Sequence, residues 1–105
     1  MSENSIPNLF AAMEDLALQF RRLAAAGEPA GTYAAQAIER RAADLKSRLK
    51  AGDPLEIVSR LLDVVPDGKD LDAIGINLDL HPKMAAQLDE IDRIAADLSF
   101  NYLDD

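Results

Sequence analysis

The central stretch of this chain, residues 53–65 (DPLEIVSRLLDVV), constrains the fold more than any other part. Asp53, Pro54 and Glu56 predict a helix start, because carboxylates cap free N–H groups and proline leaves none unpaired in the first turn. Pro66 and the turn-forming residues after it predict the helix end. The polar side chains of this helix share one narrow stripe, and all the others are apolar. A helix with so wide an apolar surface needs cover on most sides.

We therefore expect the helix at residues 54–65 to be the innermost element of the fold. One bundle of this size offers little cover, so we predict that a second copy of the chain helps to bury it in a homodimer. The residues assigned to this core or dimer contact are Leu55, Val58, Leu61, Leu62 and Val65.

Apolar side chains repeat at steps of three and four in three further segments, which is typical of helices that pack in a bundle. The first series runs from Ile6 to Leu23, the second is thinner and rich in alanine, and the third runs from Met84 to Tyr102. At 105 residues the chain is one domain. The predicted fold is all-α, a compact four-helix, mostly antiparallel bundle. Its helices span residues 6–26, 33–51, 54–65 and 82–103.

Residues 71–80 (LDAIGINLDL) alternate between apolar and other side chains, which is the period of a strand. The chain offers no second alternating run to pair with it, so three structures remain open. The segment is an extended strap over the helices, a short helix through Leu71, Ile74 and Leu78, or a strand that pairs with its own copy across a dimer axis.

Charge is distributed unevenly along the chain, whose net charge is −8. Residues 1–52 carry seven Lys/Arg and six Asp/Glu, and residues 53–105 carry four and thirteen, which gives sums of +1 and −9. An acidic half repels nucleic acid and attracts basic protein surfaces. Arginines and lysines of the first two helices lack interleaved aromatic residues, which argues against nucleic-acid binding. The residues assigned to partner binding are Asp89, Glu90, Asp92 and Asp97.

Few residues of this chain point to chemistry. The chain has no cysteine and one histidine, His81, which precedes Pro82 at a predicted helix start and is interpreted as structural. The acids of residues 67–79 do not match the spacing of a calcium-binding loop. Glu14, Asp15 and Glu39 do not form the closely spaced acidic pairs that a magnesium enzyme needs. We therefore predict no catalytic, cofactor or metal site, and no enzyme.

The favoured function is a non-enzymatic interaction protein, of the adaptor, immunity or inhibitor type, that docks a basic partner through its acidic C-terminal half. The first alternative is a small-molecule-binding bundle with a pocket lined by Met13, Phe20, Met84 and Tyr102. The second is a carboxylate and magnesium enzyme. The sequence shows no secretory signal and no stretch of about 20 apolar residues, so we expect a cytoplasmic, bacterial-style protein without a membrane span.

Overall fold

Four main helices and two short helical segments make up the protein, as a computed structural model describes it for residues 5–103. The helices are α1 (Ile6–Ala25), α2 (Ala30–Ala51), α3 (Pro54–Leu61), α4 (Gly68–Ala73) and α5 (Pro82–Leu103), with a 3₁₀ turn at Leu78–Leu80 before α5. The fold is all-α and compact, as predicted, and the described residues contain no strand.

The four main helices pack as a square in which neighbours run antiparallel. Helix α1 packs on α2 and α5, and α3 packs on the same two helices from the other side. Contacts between neighbours follow opposite sequence order, since Arg21 pairs with Glu39 whereas Lys46 lies over the Phe10 ring. Short connections make α1, α2 and α3 antiparallel neighbours, whereas a longer connection that contains α4 leads to α5.

Local sequence signals explain most of the helix ends. The Ser5 hydroxyl accepts a hydrogen bond from the Asn8 N–H (3.3 Å), and the Asp53 carboxylate accepts one from the Leu55 N–H (3.1 Å). Gly52 takes a positive φ of 78° and allows the tight corner between α2 and α3. Helix α2 begins at Ala30, earlier than predicted, because the chain enters its first turn directly from the preceding loop.

The prediction for α3 is wrong in its length, and one copy of the chain buries only some of the residues assigned to the core or dimer contact. The helix ends at Leu61 rather than at residue 65, and Val65 packs in the core from the turn that follows. Leu55 and Leu62 are 76% and 68% exposed, so α3 is not the innermost element. The physical reason is that a helix of eight residues contacts only two neighbours, and its polar stripe faces one of them.

The core centres instead on α1. Leu9, Met13, Leu16 and Phe20 of this helix are all fully buried. Their burial is complete because α1 lies between two helices of 22 residues each, which cover its apolar face from both sides. The predicted core residues Val58 and Leu61 join this core from α3.

The alternating stretch at residues 71–80 is closest to the helical alternative. Helix α4 ends just before Gly75, whose φ is +98°, and the Ile76 N–H donates to the Leu71 carbonyl (2.9 Å). This is a glycine-terminated helix end that brings the flanking apolar residues together. Leu71 and Ile76 are both buried, so two anchors hold the segment against the bundle. The alternation thus reflects a helix end rather than a strand.

A glycine sets the distance between α1 and α2. A Cβ atom added at Gly31 would lie 2.2 Å from the Phe20 carbonyl oxygen and 2.9 Å from the Ala24 nitrogen. Both are backbone atoms, which cannot swing aside as a flexible side chain does. The first turn of α2 therefore packs directly on the backbone of α1.

Leu61, the last residue of α3, and Leu62, which follows it, test how this helix is oriented. Leu61→Ala should lower the free energy of unfolding by about 2–5 kcal/mol, because Leu61 is 1% exposed and its truncation leaves a cavity. Leu62→Ala, the matched control, should change it by less than about 0.5 kcal/mol. Urea denaturation followed by circular dichroism measures both. Equal losses would contradict the orientation of α3.

A glycine pair tests the close approach of α1 and α2. Gly31→Ala should destabilise the protein by about 1–3 kcal/mol, because overpacking against backbone outweighs the usual helical gain from alanine. Gly68→Ala is the control, since its added methyl group would meet only the Leu78 side chain, at 3.9 Å. Thermal unfolding distinguishes the two variants. A Gly31→Ala protein as stable as the parent would rule out the close contact.

Candidate functional site

The outer face of α5 carries the four acidic residues predicted to bind a partner, and the structure divides them into two groups. Glu90 and Asp97 belong with Arg93, which lies within one turn of each. The Arg93 guanidinium donates two hydrogen bonds to the Glu90 carboxylate, one of them from Nε at 3.1 Å, and its Nη1 lies 3.9 Å from Asp97 Oδ2. The hydrogen bond from Arg93 lowers the pKa of Glu90, and the arginine charge adds to this effect. These two acids are therefore largely compensated.

Asp89 and Asp92 form the second group, hereafter the Asp89/Asp92 pair. They lie within one turn of each other, and among residues 5–103 no cation makes an ion pair with either. Partial desolvation raises the pKa of Asp92, and the negative charge of Asp89 raises it further. The folded chain thus holds two repelling carboxylates on its surface without a counter-charge.

Acids between α2 and α3 are better compensated, because these helices are joined by a chain of ion pairs, whereas the acids of residues 67–79 make no ion pair with a described cation. Arg60 Nε lies 2.8 Å from Asp44 Oδ2, and Arg48 Nη1 lies 3.8 Å from Glu56 Oε2. Arg48 also contacts Asp44 within α2, at 3.7 Å. The basic patch considered from the sequence is weakened accordingly, since Arg21, Arg41 and Arg48 of the first two helices already face acids.

The pocket predicted for a small molecule is not an open site. Met13 and Phe20 are fully buried and Met84 is nearly so, all within the single core. An open groove of about 750 Å³ lies instead between α1 and α2, and of the four predicted lining residues it reaches only Met13. Lys46 on its rim sits over the Phe10 ring, 5.0 Å from the centroid.

Glu14, Asp15 and Glu39, the acids considered for a magnesium site, line that same groove, and the last two are held by other side chains. Glu39 is bound by Arg21, and Asp15 accepts a hydrogen bond from Gln87 (2.8 Å). Within residues 5–103 no three His, Asp or Glu side chains come together in a way that could hold a metal ion. His81 lies at the start of α5, where its Nε2 is 3.2 Å from Glu28 Oε2.

The part played by Arg93 was not predicted, although the sequence contains the signal for it. Arg93 follows Glu90 by three residues and precedes Asp97 by four, which are the spacings at which helical side chains meet. The exposure of Leu55 and Leu62 had no comparable signal, because it depends on how α3 is oriented by α2.

The unpaired acid of α5 has a consequence for stability. Asp92→Asn should stabilise the protein at neutral pH by up to about 0.5 kcal/mol, because it removes a carboxylate whose pKa is raised by folding. A raised pKa means that the folded protein binds this proton more tightly than the unfolded chain, so stability falls as pH rises through that pKa. The gain should shrink as the pH drops below about 4.

Glu90→Gln is the matched control, because it also removes one charge from α5. The pKa of Glu90 is lowered by folding, so its ionised form supports the fold above its ordinary pKa and this support is lost in acid. The variant should be less stable than the parent at neutral pH and equal to it in acid. Unfolding curves across the pH range measure both variants, and shifts of the same sign would contradict the division of the acids.

None of the described helices is long and apolar enough to cross a membrane. In comparison with known proteins, the chain matches no family, no curated protein and no solved structure.

Proposed function

We propose that this chain is a non-enzymatic interaction protein, of the adaptor, immunity or inhibitor type, that docks a basic partner through α5. The observation that carries this proposal is the Asp89/Asp92 pair, whose two carboxylates lack a counter-charge in the described structure. Glu90 and Asp97, which belong to the same predicted surface, contribute less because Arg93 already faces them.

Electrostatics favours a cationic partner at this pair. Burial raises the pKa of Asp92, and the charge of Asp89 raises it further. A lysine or arginine within about 4–6 Å of a carboxylate favours its charged form, so a docked cation would oppose both effects. Charge complementarity also speeds encounter and makes association sensitive to salt. The sum of −9 over residues 53–105 extends the attractive field beyond the pair itself.

Two features predicted from the sequence stand beside this proposal as predictions. One is self-association of the chain into a homodimer, and the other is a cytoplasmic location. Neither is needed for docking through the Asp89/Asp92 pair.

Neutralising each group of acids separately tests the proposal. Asp89→Asn with Asp92→Asn should weaken capture of the partner from a native lysate by about tenfold, the effect of roughly 1.4 kcal/mol. Glu90→Gln with Asp97→Gln removes the same charge from the same helix and should leave most of the capture. Quantitative mass spectrometry of the captured proteins, at low and at physiological salt, provides the measurement.

A charge-reversal variant gives a stronger test of the docking surface. Reversal of all four acids to lysine should abolish capture, because attraction becomes repulsion at every position. Unchanged capture by this variant would show that α5 is not the docking surface.

A further inference from the structure

Two exposed leucines form an apolar strip along α3. Leu55 and Leu62 are seven residues apart, which is two helical turns, so they lie on the same stripe about 10 Å apart. Large apolar side chains with this exposure are costly to leave in water when they are grouped. The strip is not part of the core described above, and no other element of the described chain covers it.

The ion pairs with α2 determine which way this strip faces. Glu56 and Arg60 point toward α2, where they meet Arg48 and Asp44. On a helical projection Leu55 and Leu62 fall roughly on the opposite flank. Because α3 packs between α2 and α5, this flank is the one beside α5.

The side of α5 toward α3 carries Asp92, and Asp89 lies next to it on the surface. Gln87 marks the flank of α5 that faces α1, since it donates to Asp15. At 100° per residue, Asp92 lies on the opposite flank, beside α3, and Asp89 lies between Asp92 and the outermost line of the helix. Phe100 is 62% exposed, but it lies on that outermost line beside Arg93 and apart from the leucines.

The antiparallel direction of α3 and α5 orders these residues along the surface. The start of α3 lies beside the end of α5, so Leu55 is toward the C-terminal end of α5 and Leu62 is toward the Asp89/Asp92 pair. We call this surface the α3–α5 face, made of Leu55, Leu62, Asp89 and Asp92. Its apolar strip is bordered by negative charge that makes no ion pair with a described cation.

We propose that the α3–α5 face binds an amphipathic, basic helix of a partner protein. The apolar stripe of that helix would cover Leu55 and Leu62, with anchors spaced i and i+7 to match two turns of α3. Lysine or arginine residues beside the stripe would meet the Asp89/Asp92 pair. This inference rests on the function proposed above and identifies the kind of partner.

Charge argues against a second copy of this chain as the occupant, although the sequence predicted that a homodimer covers Leu55 and Leu62. A two-fold contact places the same face on itself, and both ends of this face are acidic. Asp53 is exposed at the Leu55 end, and the Asp89/Asp92 pair lies at the other. Either orientation of the copy therefore brings like charges together, between molecules that each carry −8.

A synthetic peptide pair tests the inference directly. The probe is an 18-residue helical peptide of leucine and lysine with one apolar stripe, and its control has the same composition in scrambled order. The parent protein should bind the striped peptide about tenfold more tightly than the scrambled one, because only the striped peptide can bury leucines while its lysines reach the acids. Fluorescence anisotropy of labelled peptides measures both affinities.

Variants of the protein locate the binding. Leu55→Gln with Leu62→Gln should weaken binding of the striped peptide by about tenfold. Both leucines are exposed, so the fold should be retained, and thermal unfolding checks this. Leu18→Gln is the matched control, since Leu18 is 46% exposed but lies on α1, at the groove with α2, and its loss should have no effect.

The outcomes separate this inference from the function on which it rests. If Asp89→Asn with Asp92→Asn weakens binding but the leucine variant does not, the α3–α5 face is wrong and acidic docking remains. If the acidic variant changes neither peptide binding nor lysate capture, the proposed function fails. If light scattering shows a dimer of the parent that the leucine variant abolishes, a second copy is the occupant and the inference is overturned.

Discussion

Burial of the apolar face of α1 is the interaction on which the rest of this structure depends. Its four fully buried side chains lie between α2 and α5, and the first turn of α2 approaches so closely that only glycine fits at position 31. That contact aligns two long helices antiparallel and places α5 on the other side of α1. Since α3 packs only on α2 and α5, its position follows from theirs.

Apolar burial determines which side of α3 faces the core, and charge adds to this orientation. The buried residues of α3 face inward, but an apolar surface this wide could be buried at more than one rotation of the helix about its axis. The ion pairs of Asp44 with Arg60 and of Arg48 with Glu56 select one of them. Half-exposed pairs of this kind are each worth at most about 1 kcal/mol. Together they favour a rotation that leaves Leu55 and Leu62 in water.

The acids on α5 differ in the direction of their pKa shifts because their neighbouring side chains differ. Glu90 and Asp97 lie within reach of Arg93, whereas Asp92 lies on the flank toward α3 with Asp89 next to it, and neither makes an ion pair with a described cation. Burial and repulsion then raise the pKa of Asp92, while the pKa of Glu90 is lowered. On α5, the part of the surface that attracts a cation is therefore narrower than the number of acids on that helix indicates.

Much of this protein could be predicted from periodicity and capping. The ends of α5 and the start of α3 were correctly placed, because proline and a capping carboxylate act locally. The exposed position of the acids of α5 was also predicted, since they fall between the residues of a clear apolar series. The length of α3 was predicted incorrectly. Val65 is buried although it lies in the turn after the helix, so an apolar residue at this position does not show that the helix continues.

Local sequence thus determined the helices, their caps and the net charge, since each depends on residues within a few positions of one another. The tertiary structure decided which helix is central, which leucines of α3 face water and which acids of α5 stay without a counter-charge. Those outcomes depend on contacts between residues distant in the chain, such as Gly31 with Phe20 and Arg60 with Asp44. A side chain's environment is a property of the neighbouring helices, and these are brought together only by folding.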